Sequence, residues 1–579
     1  MNVISEGHAA NRLRPCHPDS RVDDYLEHGW WSPLTVLDLL DNQIRSRGDA
    51  PAVTDPTNLP VLCGIEPDAL TWQELDARVD DLAAKLHESG IGPGDVVAVL
   101  MPNSVALTAT YFALWRLGAI AAPMPASYRR YELTRIVESA SAVAVVTVNS
   151  LGDRTPSDEA LSLIGEVPSL HTVFTFGPPA SNRGRPLDAA PATDESVDAV
   201  RRAYAALPRS VNDCITICWT SGTEAAPKGV PRCHGDWIAV GQAVQDGLET
   251  DEASVMLNPF PMVNMAGFAT SLLPWLLGGG HVVHHHPLDL AVYLDQLQRY
   301  RVTHTSMPPA ILTMLLQRED LRTAYDLSAL RRVGSGGAPL PPGVVRDWQY
   351  SLGVEVLNFF GSNEGVCMLG APSDTPDPLI RAEYLPNYGS SERSWATGVA
   401  ERTSVRLVDL ATGEQVTAVG GRGELRLKGP TIFAGYLEGT AASSPFDEDG
   451  YLCSGDIFEL CGDNGEYLKF VDRSKEIIIR GGMNIAPAEI EGILIDHPAV
   501  ADVAIVGYHD DVLGEKCCAV VVPKDGDDVV LEDLVEFLRA KDVASFKLPE
   551  RLVTVEQLAR NPVGKLQRRD IRGEVAKVG

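Results

Sequence analysis

The stretch Thr220-Ser221-Gly222-Thr223-Glu224-Ala225-Ala226-Pro227-Lys228-Gly229-Val230 constrains this chain more than any other. An apolar, β-rich run from Ile215 to Trp219 enters it. A helical pattern with Trp237, Val240, Val244 and Leu248 on one stripe leaves it. The loop between them holds small residues and hydroxyls, with one lysine near its end. Loops of this composition bind phosphate. Small residues let backbone N–H groups approach the oxygens, hydroxyls add donors, and lysine supplies a point charge. It is not a Walker A loop, because no glycine precedes Lys228 and no Ser or Thr follows it.

The surrounding chain repeats the strand and helix alternation. Thr71-Trp72-Gln73-Glu74-Leu75 reads as an N-capped helix running to His87 and stopped at Gly90. Gly92-Pro93-Gly94-Asp95 turns the chain into a strand, Val96 to Leu100. A turn at Pro102-Asn103, a helix through Leu117 and a strand from Ala142 to Val148 follow. This order predicts an α/β fold with layered, parallel β-sheets. At 579 residues the chain exceeds one core, so two or more domains are expected.

From Glu466 the grain changes. Short strands (Tyr467 to Val471, Ile477 to Ile479, Val503 to Val506, Ala519 to Val522) interleave with helices from Ala488 to Asp496 and Leu531 to Lys541. A small α+β C-terminal domain attached to a large N-terminal body is the expectation. Residues 1 to 30 read as a poorly ordered lead before Trp30-Trp31-Ser32-Pro33 and the helical pattern Val36, Leu39, Leu40, Ile44. Residues 151 to 210, rich in Pro, Ser, Ala and Asp, read as a surface excursion.

Bulk properties narrow the partners. The net charge of -29 opposes nucleic acid and an anionic membrane surface, so neither is expected as a partner. An anionic substrate must then be drawn in by local basic groups. The ten cysteines show no CxxC pair, and Cys214 and Cys218 sit in the apolar run as small hydrophobes. These features, with no apolar signal core at the start, predict a reduced, cytoplasmic protein. His281, His284, His285 and His286 lack two-sided ligand spacing and a cysteine partner, so they read as a strand end and polar loop.

Further stretches bring in a family. Thr220-Ser221-Gly222-Thr223 with Pro227-Lys228-Gly229 resembles the phosphate loop of the adenylate-forming enzymes, the acyl-CoA synthetase, luciferase and adenylation-domain superfamily. Gly334-Ser335-Gly336-Gly337-Ala338-Pro339-Leu340 resembles its glycine-rich strand end. Asn358-Phe359-Phe360-Gly361-Ser362-Asn363-Glu364 resembles its Tyr-Gly-x-Thr-Glu adenine segment. Gly423-Glu424-Leu425-Arg426 with Gly429-Pro430 and Gly435-Tyr436 fits the next block. Tyr451-Leu452-Cys453-Ser454-Gly455-Asp456 resembles the Thr-Gly-Asp ribose block. Asp472-Arg473-Ser474-Lys475 with Gly481-Gly482-Met483-Asn484-Ile485 and Glu489 resembles the hinge block, and Asn561-Pro562-Val563-Gly564-Lys565 the catalytic-lysine block. The resemblance runs from about Trp72 to Ile571 and lies closest to acyl- and aryl-CoA ligases.

The resemblance implies an acid–thiol ligase using ATP or an acyl-adenylate, Mg²⁺ and CoA, with a small-molecule carboxylic acid as substrate. It implies Lys565 as the cation at the carboxylate and α-phosphate, Lys228 at the phosphates and Glu364 as the Mg²⁺ ligand. Thr220, Ser221, Gly222, Thr223, Gly337, Ala338, Pro339, Asn358, Phe359, Gly361, Ser362 and Asn363 would line the nucleotide and phosphate site. Phe360 would cover the adenine, and Asp456 would accept the ribose hydroxyls with Arg473 in support. Asn264 and Gly336 would face the acyl group. Residues 1–472 would form the large domain, 473–475 the hinge with Lys475 at its pivot, and 476–579 the small mobile domain. There Gly481 and Gly482 would reach the CoA channel. The resemblance is also compatible with a homodimer.

Four positions depart from the family pattern. Glu224 and Ala225 replace a Thr-Gly pair, Asn363 replaces a threonine donor, and Asn264 replaces a frequent histidine. At about 6 Å and an effective dielectric near 20, Glu224 would cost roughly 3 kcal/mol against each phosphate charge before screening. Ala225 removes access to positive φ. The first three touch phosphate handling, while Asn264 bears on the acid pocket. The chain is expected either to use acyl-adenylate and CoA well and ATP poorly, with a separate enzyme supplying the adenylate, or to run both halves with Lys228 and Mg²⁺ compensating Glu224. The acid is expected to be bulky, cyclic or terpenoid, as in antibiotic biosynthesis. Transfer to a carrier-protein thiol is the alternative. The stretch from Pro259 to Gly267 offers no Asp for an α-amine, which argues against an amino acid.

Overall fold

A computed structural model describes residues 16–179, 184–220, 227–441, 443–474, 476–480, 483–510, 513–524, 528–541, 543, 545–560 and 566–578. The chain divides into two compact units. The first comprises Met1–Tyr388, Ser394–Ser404 and Lys428–Gly450; the second comprises Gly389–Arg393, Val405–Leu427 and Tyr451–Gly579.

Two sheets organise the first unit. The seven-stranded sheet runs in the order Arg185–Pro186, Thr172–Phe176, Ala144–Val148, Val96–Leu100, Ile120–Met124, Cys214–Trp219, Gly229–Cys233. All neighbours are parallel except the last pair, which forms an antiparallel hairpin. The eight-stranded sheet runs Cys367–Gly370, Glu355–Gly361, Arg332–Gly336, His304–Ser306, Val255–Asn258, His281–His284, Pro51–Thr54, Ala69–Thr71. It is parallel apart from an antiparallel strand at each edge. Central strands such as Val96–Leu100 are buried at every residue, as a parallel sheet covered on both faces requires.

Local chemistry sets the helices. Thr71 Oγ1 accepts the Glu74 N–H at 3.2 Å and Glu74 Oε2 accepts the Thr71 N–H at 2.9 Å, closing a capping box on the helix Trp72–Glu88. Trp72 stacks on Trp275 at 4.5 Å between centroids, both fully buried. The helix Val105–Arg116 is buried along its whole length, which fits its apolar residues on every face.

Two expectations need correction, and a third holds. The lead is ordered from Cys16: the helix Asp19–Glu27 packs Val22 and Tyr25 beside Trp31, which is 2% exposed. Its polar surface hid a short apolar stripe that Trp31 completes; residues 1–15 lie outside the described residues. The stretch 151–210 supplies Thr172–Phe176 to the seven-stranded sheet and the helix Asp194–Ala206 against Trp72–Glu88, so much of it is framework. The strand His281–His284 bears out the reading of the histidine run. His284 Nε2 meets Thr108 Oγ1 at 2.8 Å and His285 Nδ1 meets Gln296 Oε1 at 2.7 Å.

In the second unit, strands Ser404–Val408, Arg422–Lys428, Leu452–Cys461 and Tyr467–Arg473 lie side by side. A further sheet holds Met483–Ile485, Ile478–Arg480, Gly514–Pro523 and Val500–Asp510, with Arg551–Thr554 parallel to Gly514–Pro523. The helices Pro487–Leu494 and Leu531–Ala540 cover it, close to where the sequence places them. Among the described residues no helix is long and apolar enough to cross a membrane.

Candidate active site

The hairpin Cys214–Trp219 and Gly229–Cys233 carries the loop that organised the sequence reading. Ser221, Gly222 and Thr223 lie outside the described residues, as do Glu224, Ala225 and Ala226. The loop's base is described. The Thr220 N–H donates to the Lys228 carbonyl at 3.1 Å, and the Lys228 N–H donates to Thr220 Oγ1 at 3.2 Å. Gly229 N–H donates to Thr440 Oγ1 at 3.1 Å, and its carbonyl accepts from Leu437 N–H at 2.8 Å. These bonds fix where Lys228 leaves the backbone.

Lys228 Nζ then lies 5.2 Å from the centroid of the Tyr436 ring, a cation–π distance. The Tyr436 hydroxyl donates to Glu364 Oε1 at 2.8 Å. One tyrosine therefore joins the phosphate-loop lysine to the carboxylate expected to hold the cation. Glu364 is half-buried, and its Oε2 takes no hydrogen bond among the described residues. A carboxylate with one oxygen anchored and one free fits a hard cation such as Mg²⁺.

Glu364 follows the strand Glu355–Gly361, which carries Asn358, Phe359, Phe360 and Gly361; Ser362 and Asn363 form the turn after it. Asn358 Nδ2 donates to the Ala382 carbonyl at 3.0 Å. Phe359 pairs with Gly336 in parallel register, and a Cβ at Gly336 would come within 2.2 Å of the Phe359 carbonyl oxygen. Glycine at 336 is thus demanded by the neighbouring strand. Gly337 has φ +81, open to glycine but strained for other residues, and it is exposed together with Ala338 and Pro339.

Asn363 is tied into the scaffold at both ends of its amide. Its Nδ2 donates to the Trp219 carbonyl at 3.1 Å, and its Oδ1 accepts the Met265 N–H at 2.9 Å. Arg232, wholly buried, donates from Nη1 to the Asn363 carbonyl at 3.0 Å and from Nη2 to the Thr431 carbonyl at 2.9 Å. Asn264 caps the short helix Met265–Gly267, with Oδ1 accepting the Ala266 N–H at 3.1 Å. The π-helical turn Phe268–Leu272 follows, a local widening common beside functional sites. Burial pushes the Cys218 thiol to about 12, in keeping with a small hydrophobe.

In the second unit Asp456, 4% exposed, sits opposite Arg473 in the antiparallel register, and Arg473 Nε lies 3.2 Å from Asp456 Oδ1. The Asp456 N–H donates to Ser454 Oγ at 3.1 Å, and Gly455 N–H to Glu424 Oε1 at 3.1 Å. Lys475, Gly481, Gly482 and Lys565 lie outside the described residues. Two residues of this geometry had no role in the sequence reading. Tyr436 was noted only as part of a Gly-Tyr pair, and Arg232 was not singled out; an arginine inside a hairpin strand was the signal available for it.

Known proteins resemble this chain in sequence and fold. The AMP-binding enzyme profile matches residues 40–437, and the AMP-binding enzyme C-terminal domain profile matches residues 489–565. The medium-chain fatty-acid–CoA ligase of Escherichia coli (strain K12) is 29% identical over 566 residues, covering 96% of this chain and 94% of that one. The 3-[(3aS,4S,7aS)-7a-methyl-1,5-dioxo-octahydro-1H-inden-4-yl]propanoyl:CoA ligase of Rhodococcus jostii (strain RHA1) is 30% identical over 552 residues, covering 94% and 99%. Among solved structures, ATP-bound MatB from Rhodopseudomonas palustris superposes with a TM-score of 0.76 at 24% identity, covering 94% of this chain and all of that one. At that identity the likeness speaks for the fold.

Proposed function

Because the chain belongs to the AMP-binding enzyme family and is an AMP-forming acid–thiol ligase, we propose that it joins a bulky cyclic or terpenoid carboxylic acid to CoA through an acyl-adenylate. We further propose that it favours the second half of that reaction, with a separate enzyme supplying the adenylate. The relative from Rhodococcus jostii is named for a bicyclic propanoyl:CoA ligase, which supports a large acid. The division into a body over 1–472, a hinge over 473–475 and a small domain over 476–579 is part of the same reading.

In the first half a carboxylate oxygen attacks the α-phosphorus of ATP; the P–O bond to pyrophosphate breaks and the acyl-adenylate forms. Lys565 stabilises charge at the carboxylate and α-phosphate. Thr220, Ser221, Gly222, Thr223 and Lys228 hold the outer phosphates. Glu364, steadied by Tyr436, would hold Mg²⁺, whose charge screens the phosphates when bound. Gly337, Ala338, Pro339 and the segment from Asn358 to Asn363 frame the nucleotide, with Phe360 over the adenine. Asp456 takes the ribose hydroxyls and Arg473 orients it. Gly336 and Asn264 lie toward the acyl group.

In the second half the CoA thiolate attacks the acyl carbonyl, the C–S bond forms, and AMP leaves with the electron pair of the C–O bond. Lys475 is the pivot that brings Gly481 and Gly482 beside the thiol. The observation that carries the bias is the Asn363 amide. It stands where the family threonine donates to the α-phosphate, yet one of its N–H groups is spent on Trp219 and its oxygen on Met265. Glu224 adds like charge to the loop. ATP–pyrophosphate exchange and thioester formation from a synthetic acyl-adenylate, measured on the same preparation, test this. Thioester formation outpacing exchange is expected. Exchange as fast as thioester formation with the true acid overturns the bias, and transfer only to a phosphopantetheinyl carrier protein overturns CoA as acceptor.

A further inference from the structure

Arg232 is wholly buried in the hairpin strand Gly229–Cys233, yet its guanidinium joins two main-chain segments far away in the sequence. Its Nη1 donates to the Asn363 carbonyl at 3.0 Å and its Nη2 to the Thr431 carbonyl at 2.9 Å. Asn363 immediately precedes Glu364, and Thr431 opens the run that leads to Tyr436. The two segments also touch each other. Phe433 N–H donates to the Glu364 carbonyl at 3.0 Å, and a Cβ at Gly365 would come within 1.9 Å of the Thr431 carbonyl oxygen. The hydrogen bond of 2.8 Å from the Tyr436 hydroxyl to Glu364 Oε1 is made across this same contact.

The guanidinium is held from behind. Its Nη2 also donates to the Asp236 carbonyl at 3.3 Å, its Nε lies 3.5 Å from Asp236 Oδ2, and its carbon lies 4.9 Å from the centroid of the Trp237 ring. Trp237 Nε1 donates to Thr216 Oγ1 at 2.8 Å, which fixes that ring. Asp236 Oδ2 accepts the Cys233 N–H at 3.2 Å, and Asp236 Oδ1 lies 2.9 Å from His17 Nε2, with both of those side chains 0% exposed. The N-terminal segment reaches the far side of the contact as well. The Tyr25 hydroxyl donates to the Gly429 carbonyl at 3.1 Å and Trp31 Nε1 to the Pro430 carbonyl at 3.0 Å, just before Thr431. All of these residues belong to the first unit.

We propose that Arg232 is a positioning residue for adenylation: given the reading of Glu364 as the Mg²⁺ ligand, its fork clamps the turn of Glu364 to the segment of Tyr436 and so aims the carboxylate at the cation. Arginine suits the task. Its planar fork presents N–H groups in fixed directions and stays charged when buried, whereas lysine offers a point charge on a flexible stem. Bonds from a charged donor are also stronger than neutral ones. A purely stabilising role fits less well, because burying a guanidinium is costly and apolar side chains of similar volume often stabilise a core as well or better. His17 and Asp236 act through Arg232, so the segment from Cys16 to Trp31 braces the same clamp.

The test uses the full chain with Mn²⁺ as a paramagnetic stand-in for Mg²⁺ and α,β-methylene-ATP, whose α–β bridge cannot be cleaved. Electron paramagnetic resonance follows the bound Mn²⁺, and calorimetry follows AMP, which needs no cation. Arg232→Lys keeps the charge and loses the fork. It should weaken Mn²⁺ binding about tenfold, as loss of a charge-assisted hydrogen bond does, while AMP affinity changes far less. To guard against poor packing of lysine, Arg232→Met paired with Asp236→Asn removes both charges together and should show the same split. Tyr436→Phe should weaken Mn²⁺ binding by itself, and adding Arg232→Lys to it should add little, since both act on one carboxylate. Effects that multiply in the double variant, or equal losses of Mn²⁺ and AMP, overturn the clamp. Glu364→Gln separates the two readings. If it leaves Mn²⁺ binding unchanged, Glu364 is not the ligand and the clamp falls with that assignment. If it abolishes Mn²⁺ binding while Arg232→Lys does not weaken it, the clamp alone falls.

Discussion

The carboxylates proposed for the ribose and the cation, one in each unit, are held in different ways. Asp456 is buried, faces Arg473 across one strand pair and donates its N–H to Ser454, while the preceding Gly455 N–H donates to Glu424. Glu364 is half-buried, lies in a turn, and is reached by one tyrosine that also carries Lys228 on its face. The first geometry is set by strand register, so it is nearly complete before ligand arrives. The second depends on three segments meeting, the hairpin base, the turn after Gly361 and the loop at Gly435-Tyr436. Asn363, one departure from the family pattern, immediately precedes Glu364, whereas the block around Asp456 carries none of the four departures. A register-held site resists drift, whereas a loop-built phosphate site can be altered one residue at a time.

The largest break in this comparison is Lys565→Ala. It should lower the adenylation half about 1,000-fold, as loss of a positioned cation does, and leave thioester formation from a supplied adenylate far less changed. Pyrophosphate exchange set beside thioester release checks it; equal losses in both halves would remove Lys565 from the first step alone. Next, the pair Glu224→Thr with Ala225→Gly should raise exchange roughly 100-fold, the equivalent of about 3 kcal/mol of relieved repulsion. No gain would show that the loop's middle does not limit ATP use.

Tyr436→Phe keeps the ring under Lys228 and deletes the bond to Glu364. Loss of one hydrogen bond to a charged group predicts roughly a tenfold drop in adenylation, with a higher Mg²⁺ requirement. An unchanged Mg²⁺ titration would uncouple Tyr436 from the cation. Asp456, by contrast, should show no Mg²⁺ dependence when changed to Asn; both half-reactions should fall together through weaker nucleotide binding.

The smallest effect concerns stability. Burial lowers His284 to about 3 and His304 to about 4, so both stay neutral in the fold while an unfolded histidine near 6.5 takes a proton. Below about pH 6.5 the unfolded chain binds more protons, so stability falls with falling pH by about 1.4 kcal/mol per unit for each histidine. Urea midpoints between pH 7 and 5 should show this slope, and His284→Gln should reduce it. A slope unchanged by the substitution would assign acid sensitivity to other groups.

Much of this was legible from local pattern. The Thr71 capping box, the strand Val96–Leu100 and the helix Leu531–Ala540 follow from short-range periodicity and caps, which one segment carries by itself. The lead from Cys16 to Trp31 was not legible, because its stability comes from Trp31 packing against Gly235 and donating to the Pro430 carbonyl at 3.0 Å, partners far away in sequence. Arg232 was missed for the same reason: its worth lies in the Asn363 and Thr431 carbonyls it reaches.

The sequence by itself determined that strands and helices alternate along the chain and that the family's blocks occur in order. Residue type and spacing along one chain carry that information. Tertiary structure alone decided that Tyr436 links Lys228 to Glu364 and that Asn363 is spent on Trp219 and Met265. Each of those depends on which segments pack together, and hydrogen bonds of about 3 Å are fixed only once the sheets have set the distances.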